Sequence, residues 1–239
     1  MRSAKAKAAK DERRARRLAK GHRHHETVEI TPLGGPMDPE LLRRIQGAAT
    51  RFDPTRPWSD LASTVLPVIK RRFQPSPMGL EPLHVQVPPG IPTGFGLDFG
   101  PAFAHVTAEQ VEAWGIGRAE LLATALDNLR RLIDIEPPRI ERFASDGVPI
   151  VAIQGQGWGS SLLLLPEVLR PILGSEPLLL LAPVRNTLLA IPETTDAELV
   201  EALWMAVADG AHDELDVPPL RWTGRAVVAI QARMLGLPN

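Results

Sequence analysis

The run Gly155, Gln156, Gly157, Trp158, Gly159, Ser160, Ser161 holds the residue types most open to chemistry, and it comes directly after the apolar pattern from Val148 to Ile153. A strand, a glycine loop and then a helix is how phosphates are usually cradled on backbone amides. The spacing fits neither G-x-G-x-x-G nor G-x-x-x-x-G-K-[ST], and no lysine follows the loop. Pro166 is a second obstacle. With Ser160 as N-cap it would fall inside the helix, where a lost hydrogen bond and a ring clash cost roughly 3 kcal/mol. The helix therefore starts later, near Leu165, or is kinked. If it starts later, no helix amino terminus faces the loop, and the glycines are bends that hold Trp158 against a neighbour. Ser160 and Ser161 also lack the glycine two places on that a nucleophile elbow requires.

Two further groups could act with this loop. Arg185 and Asn186 fall at a tight turn, Pro183 to Asn186, where a guanidinium could grip an anion or a partner's carboxylate; more often such an arginine is solvated or pairs with an acid. Asp98 and His105 lie seven positions apart around the break at Gly100 and Pro101, a spacing that would let them meet as an acid/base pair. The ligand-binding candidates are thus Gly155, Gly157, Gly159, Ser160, Arg185, Asn186, Asp98 and His105. No residue qualifies as catalytic by its own spacing test, and no cofactor or metal set is expected.

Composition sets the limits around these candidates. The chain has 239 residues, 27 Lys+Arg against 28 Asp+Glu, no Cys, no Tyr and 24 Pro. Zero cysteines removes disulfides, thiolate metal sites and cysteine nucleophiles. The longest apolar runs, Leu162 to Leu165 and Leu178 to Pro183, are far short of the roughly 20 residues that cross a bilayer, so no membrane insertion is expected. The amino terminus lacks the apolar stretch of a secretion signal, which makes a cytoplasmic location the default.

Near-neutrality hides an asymmetry. Residues 1–25 carry ten basic and two acidic residues, net +8, leaving −9 on the rest. Leu18 is the single large aliphatic residue there after Met1, so composition favours a solvated, disordered arm. Its arginines Arg13, Arg14, Arg16 and Arg17 could meet nucleic-acid phosphates through counterion release, although no base-stacking aromatic accompanies them. His22, His24 and His25 lack the surrounding shell that fixes a metal site.

Residues 26–94 form a proline-rich segment with short elements. A helix over 39–49 takes Asp38 as its N-cap, and a second covers Ser59 to Arg72, with Leu61, Val65, Leu66 and Ile69 at helical spacing and a kink at Pro67. Residues 74–81 read as a linker and Leu83 to Val87 as a half-buried strand. From residue 95 to 239 an α+β domain is expected. It contains a strand region at 97–106, a capping box at Thr107 and Gln110, a helix over 118–133, and strands at 139–144, 148–154, 178–181 and 187–191. Asp146 and Gly147 form a hairpin turn, Thr195 and Glu198 a second capping box, and 220–230 a closing hairpin across Gly224. Short hairpins with helices between them point to a mainly antiparallel sheet with packed helices.

Several segments together resemble a known family. TVLPVIKRRF (64–73), GLDFGPAFAHVTAEQVEAWGIGRAELLATALDNLRRL (96–132), GQGWGSSLLLLPEVL (155–169) and LLLLAPVRNTLLAIPET (178–194) look, in order and spacing, like the YtpQ-like bacterial family, domain of unknown function 1444. The resemblance covers about residues 60–230. It implies a bacterial, cytoplasmic protein and no particular chemistry. Where the family's turn reads Pro-x-Arg-Asp this chain has Asn186, which removes a carboxylate. The expected function is a non-catalytic binding or accessory protein with a protein partner. The alternatives are a phosphate- or nucleotide-binding protein or enzyme using the Gly155–Ser161 loop, and nucleic-acid contact through the basic arm.

Overall fold

A computed structural model describes residues 56–69, 81–87, 90–98, 103–209, 215 and 217–230. They belong to one compact unit, 43–239. The basic arm with its arginines and histidines, the helix expected over 39–49 and the linker at 74–80 lie outside the described residues.

The first described element corrects an expectation. In place of one helix from Ser59 to Arg72 there is a single helical turn, α1 (Trp58–Leu61), a 3₁₀ turn (Ala62–Thr64) and then a strand, β1 (Val65–Ile69). The apolar residues do fall at helical spacing, but Val65 to Ile69 is also an unbroken apolar run that is buried along its whole length. Proline inside a helix forfeits a hydrogen bond, whereas on the rim of a sheet it forfeits none. Among the described residues Pro67 sits on such a rim.

Strands β2 (His84–Val87), β3 (Ile91–Asp98) and β4 (Phe103–His105) complete the first sheet. Among the described residues β3 is central: β1 pairs with one side of it, and β2 and β4 pair antiparallel with the other. β3 runs straight through residue 95, so the proline-rich segment and the following domain share this sheet.

Two helices come next. α2 (Ala108–Trp114) opens with the expected capping box: the Thr107 hydroxyl accepts from the Gln110 N–H, and the Gln110 side chain accepts from the Thr107 N–H. It ends at Gly115, whose φ of 68° is the left-handed conformation that glycine adopts without penalty. α3 (Arg118–Ile135) has Leu121, Ala125, Asn128, Leu129 and Ile133 on its buried side. Leu121 and Ala125 pack with Phe95, Leu97 and Val106 of the first sheet. Leu129 and Ile133 belong to a larger core with Ile153, Leu180 and Trp222. One helix thus braces both halves of the molecule.

The second sheet is wholly antiparallel, in the order β10-β9-β7-β8-β6-β5. Its strands are β5 (Arg139–Ser145), β6 (Val148–Gln154), β7 (Leu178–Val184), β8 (Thr187–Pro192), β9 (Leu220–Trp222) and β10 (Val227–Ala229). Asp146 and Gly147, at φ 51° and 81°, make the two-residue hairpin turn between β5 and β6. Between β6 and β7 come a 3₁₀ helix (Gly159–Leu164) and α4 (Pro166–Leu173), and between β8 and β9 comes α5 (Ala197–Ala208). Strand alternation sends Leu180, Leu188 and Ala190 to the core shared with α3 and α4, and Leu179, Leu181, Leu189 and Ile191 to the face covered by α5. Two antiparallel sheets with packed helices make the fold α+β.

A second correction concerns α5. Its cap is Asp196, whose carboxylate accepts from the Leu199 N–H at 2.8 Å, not the expected Thr195 and Glu198 box. Aspartate is at least as good an N-cap as threonine, and Thr195 is occupied closing the turn, its hydroxyl donating to the Pro192 carbonyl at 2.7 Å.

Candidate functional site

The glycine loop and the Arg185–Asn186 turn do come together, and they meet backbone to backbone. The Gly155 N–H donates to the Asn186 carbonyl and the Ser160 N–H to the Arg185 carbonyl, both at 3.0 Å. Inside the loop, the Trp158 N–H donates to Gly155 and the Ser161 N–H to Trp158. These four amides are therefore committed to carbonyls. A phosphate cradle needs amides that point at open space.

The hydroxyls are committed as well. Ser160 Oγ donates to the Arg185 carbonyl and Ser161 Oγ to the Pro67 carbonyl on β1, each at 3.0 Å. The two serines are 0 % and 1 % exposed, which places both out of reach of a substrate in solution. The helix after the loop begins late: Leu165 is the cap of α4 and Pro166 its first residue, where a missing N–H costs nothing. The loop runs instead into the 3₁₀ helix, with Gly159 to Leu164 all buried.

Each glycine has its own reason. A Cβ on Gly159 would overlap the Asn186 carbonyl oxygen, so glycine is what lets the two backbones touch. A Cβ on Gly155 would lie 2.7 Å from the Trp158 ring. Gly157 has φ +74° and open space around it apart from the Arg185 guanidinium carbon at 4.0 Å. Asn186 is exposed and Arg185 half-buried at the tip. Trp158 is 3 % exposed, and its Nε1 is the buried side-chain atom that lacks an acceptor among the described residues.

Asp98 and His105 sit on the other sheet. His105 is opposite Gly96 and Asp98 opposite Phe103, so the two share a face one diagonal step apart, about 7–8 Å between Cα atoms. Both are exposed. Arg13, Arg14, Arg16 and Arg17 lie outside the described residues.

Two polar groups are central in the structure, Asn128, which sequence reasoning passes over, and Ser161, which it weighs only as a nucleophile. Asn128, 6 % exposed, donates through Nδ2 to the carbonyls of Ala62 at 2.7 Å and Val65 at 2.9 Å. Its signal is a polar residue in the apolar register of α3, one place before Leu129. Ser161, a nucleophile candidate by residue type alone, has as its partner the rim of a strand 94 residues away. Together Asn128 and Ser161 occupy the outer carbonyls of Val65 and Pro67 on β1.

The only clear carboxylate perturbation among the described residues belongs to Glu109, in the first turn of α2. Its own backbone N–H, and then the Thr107 hydroxyl, hold its carboxyl below the usual range. No helix of the described residues is long and apolar enough to cross a membrane. No protein-family model matches the chain, and no curated protein or solved structure matches it either.

Proposed function

We propose that this chain is a non-catalytic binding or accessory protein, bacterial and cytoplasmic as its resemblance to the YtpQ-like family implies, which works by engaging a protein partner. One observation carries the reading: the loop best suited to chemistry spends the amides of Gly155, Trp158, Ser160 and Ser161 and both serine hydroxyls on the protein's own carbonyls. A thermal-shift screen with inorganic phosphate, nucleoside triphosphates and common metabolites tests it. A ligand at one hundred times its dissociation constant stabilises a protein by roughly 2.7 kcal/mol, so a real ligand is visible. The reading expects no shift from any of them, and a saturable shift from one would end it.

A second reading has one observation in its favour. The buried Trp158 Nε1 lacks an acceptor among the described residues, and an unsatisfied group of this kind costs about 1–3 kcal/mol. A small ligand offering an oxygen beside the Gly155–Ser161 loop would supply it. In the same screen such a ligand raises the transition of the wild type and leaves Trp158→Phe unmoved.

A further inference from the structure

We propose that β5 is a docking strand whose outer edge, unpaired among the described residues, takes up, antiparallel, an extended segment of a partner protein reading apolar, acidic, basic, apolar. The inference rests on the partner-binding reading above and names its surface.

A strand at the rim of a sheet has a row of backbone groups without ladder partners, and proteins usually blunt such rims. The rims of these two sheets are treated differently. β1 is buried along its length, and the side chains of Asn128 and Ser161 take its outer carbonyls at Val65 and Pro67. β2, β4 and β10 are short, at four, three and three residues. β5 has seven residues, no proline, and an unshifted ladder to β6 from Arg139–Gln154 to Ser145–Val148. No residue of it is buried. Phe143 is 47 % and Ile140 37 % exposed, and alternation puts them on opposite faces.

The charges on this strand select its partner. Arg139 and Glu141 pair at 2.6 Å on the face of Phe143. Arg142 lies on the face of Ile140, its guanidinium donating to the Ile172 carbonyl at 2.8 Å. A second copy of the chain is a poor fit. In a two-fold antiparallel pairing some residue must stand opposite its own copy, because directly opposed side chains share a face. Centred on Arg142, the pairing opposes two guanidiniums, and centred on Glu141, two carboxylates; both are destabilising. Centred on Phe143, it shortens to 141–145 and leaves Glu141 and Arg142 facing Ser145 and Ala144 of the copy; centred on Ile140, Arg139 does meet Glu141 of the copy, but the pairing shrinks to 139–141 and leaves Phe143 and Arg142 outside it. A foreign strand meets no such conflict. Opposite Phe143, Arg142, Glu141 and Ile140 it places an apolar residue, an acid, a base and an apolar residue.

The test uses the isotope-labelled full chain and two blocked peptides, Thr-Val-Glu-Lys-Ile-Thr and its charge-swapped form Thr-Val-Lys-Glu-Ile-Thr. The expected result is amide shifts and slowed exchange confined to residues 139–145, with the first peptide about tenfold tighter, since two matched cross-strand charges replace two mismatched ones. Arg142→Glu abolishes the preference; if that variant does not fold, Glu141→Lys gives the same loss. Binding of neither peptide, equal binding of both, changes away from β5, or a β5-paired dimer that excludes the peptide would each overturn the proposal. The two readings fail separately. A metabolite that stabilises the protein while the first peptide still occupies β5 ends the accessory reading alone, and partner capture that survives both substitutions ends the docking strand alone.

Discussion

Ser161 Oγ donates to the carbonyl oxygen of Pro67 at 3.0 Å, joining two residues 94 positions apart and tying the 3₁₀ helix of one half to the rim strand of the other. Proline is suited to that rim because it has no N–H to leave unpaired, yet its carbonyl still needs a donor. Ser161→Ala removes the donor from a buried acceptor and is expected to cost about 1–3 kcal/mol. Ser160→Ala is expected to cost under about 1 kcal/mol, because the Arg185 carbonyl keeps the Ser160 N–H. Urea unfolding of the two variants checks the order, and equal losses would show that the tie to Pro67 carries no special weight.

Asn128 stands between two carbonyls of the β1 approach. Asn128→Ala strands both, which is expected to cost about 3 kcal/mol. Asn128→Asp keeps the shape but turns an acceptor toward acceptors, so at neutral pH it is expected to be the worse of the two. Denaturant midpoints of both variants decide this. A milder Asn128→Asp would mean the side chain is held by shape alone.

Gly159 and Gly157 separate close approach from backbone conformation. Gly159→Ala forces a methyl into the Asn186 carbonyl and is expected to cost about 1–3 kcal/mol by overpacking, displacing the Arg185–Asn186 turn. Gly157→Ala has room, so its cost is the left-handed backbone alone, about 1–2 kcal/mol. Amide shifts at residues 185–187 distinguish the cases: they move in Gly159→Ala and stay in Gly157→Ala.

Glu109 provides a pH-dependent element. Its carboxyl titrates lower in the folded chain than in the unfolded one, so the folded chain gives up that proton more readily. The resulting stabilisation is present above the ordinary carboxylate value and is lost as pH falls through the depressed one. Thr107→Ala removes the hydroxyl contribution and the cap together. It is expected to cost about 1 kcal/mol and to return the Glu109 titration partway to normal in an NMR titration. The backbone contribution, the larger one, remains.

The second sheet was largely legible because its signals are local. Val148 to Gln154 and Thr187 to Ile191 alternate or run apolar between turn residues, and Asp146-Gly147 names its own turn. β1 was not, since Val65, Leu66 and Ile69, which continue a helical spacing from Leu61, also belong to an unbroken apolar run that makes a strand buried on both sides, and only the neighbour across the ladder decides between them. The glycine loop was half legible. Its composition told of a backbone that needed room, and Pro166 marked the start of α4 correctly. That the room is for the Asn186 carbonyl, 27 positions beyond Gly159, is a tertiary fact with no local trace. Asp98 and His105 flank the break at Gly100 and Pro101 that the sequence marks, and the register of β3 against β4 puts them on one face, one diagonal step apart.

The bracing helix α3 has a kinetic corollary. Water cannot reach the side chains around Phe95 without loosening the grip of Leu121 and Ala125, and the same rod carries Leu129 and Ile133 at its far end. Melting either layer therefore tugs on the other through one rigid lever, so amides of β3 and of β8 should open in a single concerted event with one shared exchange rate.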